Sequence, residues 1–251
     1  MKRTLSGFVT IALLCSIVLI PASAQDDQTA KISEGKKILE QTILASGGRE
    51  ILSKIKDTTV QSEMNIIPMG LTTNRVIYTK DSEKIRVETK VMGTMTILCF
   101  DGKSGWILTP QSPTAVDMPQ PVLEELKKSA IESAARMNPE KYGTTITYEG
   151  RESFEGKEYL VLKQTYEEGD ASTIYLDPDT YIPYKMVSLL LDESIKKVET
   201  EIIFSDYRVV EEMKVPFFMH VIQSGEDYIG IKVTEYKYNT GLEDSLFERP
   251  Q

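Results

Sequence analysis

Short segments in which apolar and polar residues alternate run through most of the chain, and this pattern constrains the fold most. Val60, Met64 and Ile66 alternate with polar residues, and a period of two returns around residues 75–78 and 85–88. Side chains with this spacing lie on opposite faces of a β-strand. Polar or glycine-containing turns separate the segments, as they do in antiparallel strands joined in sequence. We therefore predict a mainly β protein of about eleven to twelve strands.

Two helices are predicted before the first strand. Apolar residues at helical spacing span residues 32–44, and Gly47-Gly48 ends the pattern. A short second helix is expected over residues 49–55. The polar residues 25–31 precede the pattern, and we expect them to be disordered.

A third helix is predicted in the middle of the chain. Proline-rich residues 110–121 interrupt the sheet, and an apolar stripe at helical spacing follows them. The stripe consists of Val122, Leu123, Leu126, Ala130, Ile131 and Ala134. A sheet of this length must curl or close, and its concave face then needs a cover. Because only the helices can provide one, we predict a strongly curved antiparallel sheet with helices over its concave face.

The first 24 residues have the features of an export signal. Two basic residues precede an apolar run over residues 8–20, which is short for a membrane span. Ala22-Ser23-Ala24 has the small side chains of a cleavage site. We predict a signal peptide over residues 1–24, cleaved after Ala24, and a single mature domain over residues 25–251. An uncleaved membrane anchor is the alternative.

Charge and residue usage exclude several classes of function. The chain has 38 acidic and 29 basic residues, with a formal net charge of −9, which disfavours nucleic acid as a partner. One histidine and two cysteines leave little for a metal site, so we expect no metal and no cofactor. The mature chain keeps only Cys99, in an apolar run, where a buried and unreactive thiol is expected.

No catalytic motif stands out in the sequence. It has no nucleophile elbow, no phosphate-binding glycine loop and no zinc-protease motif. His220 lies in a predicted strand, and Asp177-Pro178-Asp179 has the composition of a turn. We therefore predict that the protein is not an enzyme. Because carboxylates are plentiful, a secreted hydrolase that uses two of them stays open as an alternative.

Methionines in two turns point to an apolar ligand, because methionine adapts well to irregular apolar surfaces. If the first strands alternate in direction, the turns with Met69 and Met92 share one end of the sheet. The charged turns at residues 81–83 and 101–104 share the other end. We predict an apolar mouth at the methionine end, where the third helix is also expected to begin. The candidate cavity residues are Met64, Ile66, Met69, Met92, Met95, Ile97, Trp106, Leu123, Leu126 and Ile131.

The order of several short segments resembles that of the outer-membrane lipoprotein-sorting proteins, relatives of the periplasmic carrier LolA and the receptor LolB. The resemblance extends over residues 32–250. The segments are Ala45-Ser46-Gly47-Gly48, Phe100-Asp101-Gly102-Lys103-Ser104-Gly105-Trp106, Glu149-Gly150 to Gly156-Lys157, Tyr175-Leu176-Asp177-Pro178, Phe204-Ser205-Asp206-Tyr207-Arg208 and Leu246-Phe247-Glu248-Arg249-Pro250. One departure is Glu211-Glu212, where relatives turn through glycine.

The resemblance implies a half-open antiparallel β-barrel, helices that plug its concave side, a cavity for acyl chains and no catalysis. We therefore predict a periplasmic carrier that binds lipids or lipoproteins, in outer-membrane lipoprotein sorting. Its expected partners are acyl chains and a membrane-bound donor or acceptor protein. A periplasmic sensor or regulatory module on the same scaffold is the second hypothesis, and a secreted envelope hydrolase is the third.

Overall fold

Thirteen antiparallel strands form one sheet in the computed structural model, which describes residues 22–167, 169–192 and 194–250. The strands are β1 (Asp57–Ile66), β2 (Leu71–Lys80), β3 (Lys84–Val91), β4 (Thr94–Phe100), β5 (Gly105–Thr109), β6 (Ser112–Asp117), β7 (Thr144–Phe154), β8 (Lys157–Tyr166), β9 (Ala171–Leu176), β10 (Pro183–Leu191), β11 (Lys197–Val210), β12 (Met213–Gln223) and β13 (Glu226–Tyr238). The α-helices of the described residues are α1 (Ala22–Ala45), α2 (Arg49–Lys54) and α3 (Gln120–Met137).

The strand order is β6-β5-β4-β3-β2-β1-β13-β12-β11-β10-β9-β8-β7. Sequential hairpins account for every neighbouring pair except β1 with β13, which joins the first strand of the sheet to the last. The sheet does not close, since β6 and β7 remain its two edges. The predicted mainly β, half-open barrel with helices is confirmed, with 13 strands instead of about eleven to twelve.

Both long helices pack on the same face of the sheet, at different places. Helix α1 buries Ile38, Leu39 and Ile43 against β7, β8 and β9. Helix α3 buries Leu126 and Ala130 against β3 and β4. Direct antiparallel partners share a face, and rows of such partners connect the strands under α1 to those under α3. This shared face is the concave one.

The proline-rich segment contains a strand that the sequence analysis missed. Residues 112–117 form β6, which pairs with β5 and returns the chain to the end of the sheet that carries the 101–104 turn. Because of this extra strand, α3 begins at that end, where the Met118 N–H donates to the Gly105 carbonyl at 3.1 Å. The prediction that the helix starts at the methionine end is therefore wrong.

The N-terminal helix is longer than predicted. Residues 25–31, expected to be disordered, belong to α1. Lys31 explains part of this order, because its ammonium group pairs with Asp27 one turn earlier at 3.8 Å and with Glu149 of β7 at 3.4 Å. Residues 22–24 of the predicted cleavage site form the first turn of the helix. The apolar run at residues 8–20 lies outside the described residues.

The chain ends on the opposite, convex face of the sheet. After β13, the segment from Leu242 to Phe247 packs over β4 and β5, and Phe247 is only 1% exposed. Arg249 holds the segment to the edge strand through the Ala115 carbonyl and the Asp117 carboxylate. The C-terminal segment therefore covers apolar side chains that the sheet would otherwise expose on this face.

Candidate apolar ligand site

A row of apolar side chains crosses the concave face over nine neighbouring strands. Each residue is the direct antiparallel partner of the next, so all of them lie on one face. The row is Tyr148, Leu162, Ile174, Met186, Ile202, Val221, Ile229, Ile66 and Leu71. Only Leu162 and Val221 are buried, and the other members remain half-buried. The row therefore leaves apolar surface on the concave face that other side chains of the protein do not fully cover.

The middle of this face has its own apolar cluster, separate from those beneath the two helices. Met64, Val221 and Ile231 are buried there, and the side chains that pack around them also come from strands. The cluster lies on β1, β11, β12 and β13, between the part of the sheet under α1 and the part under α3. The apolar surface is therefore continuous between the two helices.

A second apolar row lies beneath α3. It consists of Val60, Ile77, Val87, Leu98, Ile107 and Val116, which are again direct partners. Val122, Leu123 and Leu126 of α3 pack in the cluster that contains Ile77, Val87 and Leu98. The helix is amphipathic, as its sequence predicted.

Helix α3 approaches the sheet closely at one point. A Cβ atom on residue 105 would collide with Cδ1 of Leu123, so a larger residue there would have to displace that side chain. Further along, the Lys128 ammonium group pairs with the Asp170 carboxylate in the turn between β8 and β9, and Lys197 pairs with the same carboxylate at 2.5 Å. Hydrogen bonds from Lys128 and Lys197 lower the pKa of Asp170. Packing and ion pairs together hold α3 over the concave face.

One arginine lies between the two apolar rows. Arg75 of β2 is the direct partner of Ser62 and of Thr89, and its side chain shares the face of Ile77. Its Nε has less than 1 Å² of accessible surface and no hydrogen-bond partner in the described structure. Burial lowers the pKa of this guanidinium. The arginine was not among the site residues predicted from the sequence, although its place in the alternation of β2 was a usable signal.

Four of the ten predicted cavity residues lie on the concave face, in two groups. Met64 and Ile66 belong to the surface between the helices, and Leu123 and Leu126 belong to the contact of α3 with the sheet. Ile131, also on α3, is half-buried and is not a member of that contact.

The two methionine turns share one end of the sheet. Met69 is 60% exposed beside the β1–β2 turn and Met92 is 86% exposed in the β3–β4 turn. The exposed side chains of Ile67 and Ile195 lie in turns at this same end. This methionine end therefore exposes several large apolar side chains to solvent.

The remaining three residues face the other way. Met95 pairs with Lys90 and is 40% exposed, while Ile97 and Trp106 lie beneath the C-terminal segment. The Trp106 indole N–H donates to the Phe247 carbonyl at 3.1 Å, and the thiol of the fully buried Cys99 lies 3.3 Å from the same oxygen. Burial raises the pKa of Cys99 to about 12. Ile97, Cys99 and Trp106 therefore belong to the packed core of the convex face.

Two depressions lie outside the apolar row. One, of about 340 Å³, lies between α2 and the β11–β12 turn and includes Lys54, Glu211 and Glu212. The other, of about 220 Å³, includes the ion pair of Lys157 with Asp177. Both contain charged side chains, and neither includes a member of the row.

The described residues contain no group of three or more His, Cys, Asp or Glu side chains placed to hold a metal ion. His220 lies on the convex side and its Nε2 is 3.0 Å from an Asp227 carboxylate oxygen. None of the helices in the described part of the chain is long and apolar enough to span a membrane.

Two solved structures share this architecture. An outer membrane lipoprotein-sorting protein domain from Vibrio parahaemolyticus superimposes with a TM-score of 0.59 and 15% identity, covering 86% of this chain and 97% of that one. A LolA superfamily protein from Nitrosomonas europaea gives the same four values. No family model matches the sequence, and no curated protein matches it. The fold is LolA-like.

Proposed function

We propose that this protein is an exported carrier that holds the acyl chains of lipids or lipoproteins against the concave face of its sheet. The observation that carries the proposal is the half-buried apolar row on the face that the helices cover. An acyl chain laid along this row would bury its methylenes, and each buried methylene contributes about 0.8 kcal/mol. Many lining residues would share this gain, so no single one should be essential.

Helix α3 is the proposed cover of the site. Its apolar stripe packs on the sheet at β3 and β4, and Lys128 in the middle of the helix pairs with Asp170. At the end of the helix, Met137 packs in the cluster under α1 and its carbonyl accepts a hydrogen bond from Arg49 at 2.7 Å. The methionine end is the proposed entrance, because Met69 and Met92 have little bound water to lose when a chain passes them.

The cellular setting of the proposal rests on the export signal and on the fold. A signal over residues 1–24 would deliver the mature domain, residues 25–251, to the periplasm. One fold neighbour is described as an outer membrane lipoprotein-sorting protein domain, which supports a role in outer-membrane lipoprotein sorting. The proposed partners are acylated cargo and a membrane-bound donor or acceptor protein. The proposed work is binding and release, without catalysis, metal or cofactor.

Two neighbouring isoleucines on β11 allow a matched test. Ile202 belongs to the apolar row on the concave face, whereas Ile203 pairs with Lys185 and His220 on the convex face, and both are half-buried. In Ile202→Glu, a charge would enter the apolar surface, which is costly when it is covered by a ligand. We expect this variant to bind an uncharged apolar fluorophore about tenfold or more weakly than wild type, and Ile203→Glu to bind it like wild type.

Alanine substitutions at the same two positions give a milder test. Ile202→Ala and Ile203→Ala each remove apolar area without adding charge, and only the first should weaken binding. Thermal unfolding of all four variants would show that the difference does not come from loss of fold. Equal binding by the Ile202 and Ile203 variants, with both folded, would contradict an acyl site on the concave face.

A further inference from the structure

Arg75 differs from every other arginine in the described chain. Each of the six other arginines of the described chain pairs with a carboxylate, either on its own element or on a neighbouring one. The pairs are Arg49 with Glu40, Arg86 with Glu88, Arg136 with Glu132, Arg151 with Glu158, Arg208 with Asp206 and Arg249 with Asp117. Among the side chains that the structure describes, Arg75 has no ion-pair partner and no side-chain hydrogen-bond partner. It is also the one whose Nε is shut off from solvent without a partner.

The surroundings of Arg75 do not supply a compensating charge. Its cross-strand neighbours on the concave face are Ser62 and Thr89, and the nearest acidic residues on these strands, Glu63 and Glu88, alternate to the convex face. The Ser62 hydroxyl donates to the Arg75 backbone carbonyl at 3.4 Å. The Arg75 side chain is half-buried with its Nε shut off from solvent, and a charge partly removed from water without a partner is costly.

We infer that Arg75 binds the acid group of an anionic lipid whose chain lies along the apolar rows. This inference rests on the proposed carrier function and names the chemistry of its cargo. A guanidinium offers two parallel N–H donors that match a carboxylate or a phosphate. Ile77 and Leu71 on the same strand belong to the two apolar rows, so the acid group and its chain would have adjoining sites. The polar end of the cargo would therefore lie inside the fold, beside β2.

The first test compares two ligands of equal chain length on the unaltered protein. Oleate and methyl oleate differ by one negative charge, and each can be titrated as a competitor of an uncharged apolar fluorophore. A hydrogen-bonded charge is worth enough for at least about a tenfold preference, so oleate should bind that much more tightly. Equal affinities would overturn the assignment of Arg75 while leaving the carrier function intact. If neither ligand displaces the fluorophore, the proposed function and the inference fail together.

The second test replaces the charged side chain with an unbranched apolar one. Arg75→Met should lose the preference for oleate and keep the affinity for methyl oleate. Lys90→Met is the matched control, because Lys90 lies on the adjacent strand, one pair away, exposed and on the convex face. That control should retain the wild-type preference. A preference that survives in Arg75→Met would overturn the inference.

Stability gives a readout that does not depend on ligand. Since Arg75→Met removes an uncompensated buried charge, the ligand-free variant should melt at a higher temperature than wild type. A lower melting temperature would mean that the guanidinium has a structural role, and would count against the inference.

Two further competitors separate the sources of the acid group. Oleoyl lysophosphatidate carries a phosphate on an acyl chain, whereas inorganic phosphate carries the charge alone. A lipid site should bind oleoyl lysophosphatidate in a manner that depends on Arg75. It should not bind inorganic phosphate at millimolar concentrations. Displacement by inorganic phosphate alone would show a free-anion site and overturn the assignment to a lipid.

Discussion

Single residues of this protein store strain where the chain reverses direction. Glu211 and Glu212 form the β11–β12 turn with φ values of +45° and +69°. Two consecutive positive φ values are typical of the tight hairpin turn that prefers Asn-Gly. For residues other than glycine, the left-handed backbone conformation costs about 1 kcal/mol or more. The glycine-poor turn noted in the sequence is therefore formed at an energetic cost.

Replacing this turn with its preferred residues should stabilise the protein. We expect the double variant Glu211→Asn, Glu212→Gly to raise the free energy of unfolding by about 1–2 kcal/mol, because both glutamates are exposed and make no described ion pair. Urea unfolding monitored by circular dichroism would measure it. As a control, Glu155→Asn changes one residue of a hairpin turn that already contains Gly156, and its gain should be smaller. An unchanged urea midpoint for the double variant would contradict the claim that this turn is strained.

Among the elements, the C-terminal segment is the part of the core that depends on one large side chain. Phe247 fills the convex side over Cys99 and Trp106, and its carbonyl accepts the indole hydrogen bond. Phe247→Ala should lower the free energy of unfolding by about 3–5 kcal/mol, because it leaves a cavity in packed core. The same variant should label faster at Cys99 with a thiol reagent, whereas wild type should label slowly until denaturant is added. Slow labelling in both proteins would show that the segment does not control access to the thiol.

The sequence predicted the elements better than their arrangement. The period of two in β1 to β4 and the apolar stripe of α3 were sufficient to predict these strands and this helix, because each pattern matches one regular geometry. Strand β6 was missed because it contains a proline, Pro113, which is tolerated on an edge strand because the lost donor is not needed there. That strand decides at which end α3 begins.

The site was only partly predictable for a related reason. Alternation separates Leu98 from Cys99 and Arg75 from Val76, but a single sequence does not say which face is concave. Ile97 and Trp106 were included because they are apolar, and their actual cover is a segment more than a hundred residues away in the chain. Arg75 was omitted because an isolated charge in a strand usually faces solvent.

At the scale of the whole molecule, the sheet has two differently used faces. The convex face carries charged pairs such as Arg86 with Glu88 and Lys185 with Glu201, and its apolar part is sealed by Phe247. The concave face carries the half-buried apolar row, and α1 and α3 cover different parts of this face. The fold thus separates a solvated exterior from an apolar interior, and the central claim is that the interior receives acyl chains.

Photo-crosslinking with a fatty acid that carries a diazirine near its chain end tests this claim most directly. After irradiation and proteolysis, mass spectrometry would locate the labelled peptides. The account predicts labels on concave residues between the helices, such as Ile202, Val221 and Ile229, and their loss when excess oleate competes. Labels confined to Ile203 and Phe218 of the convex face, or labels that oleate does not compete away, would contradict it.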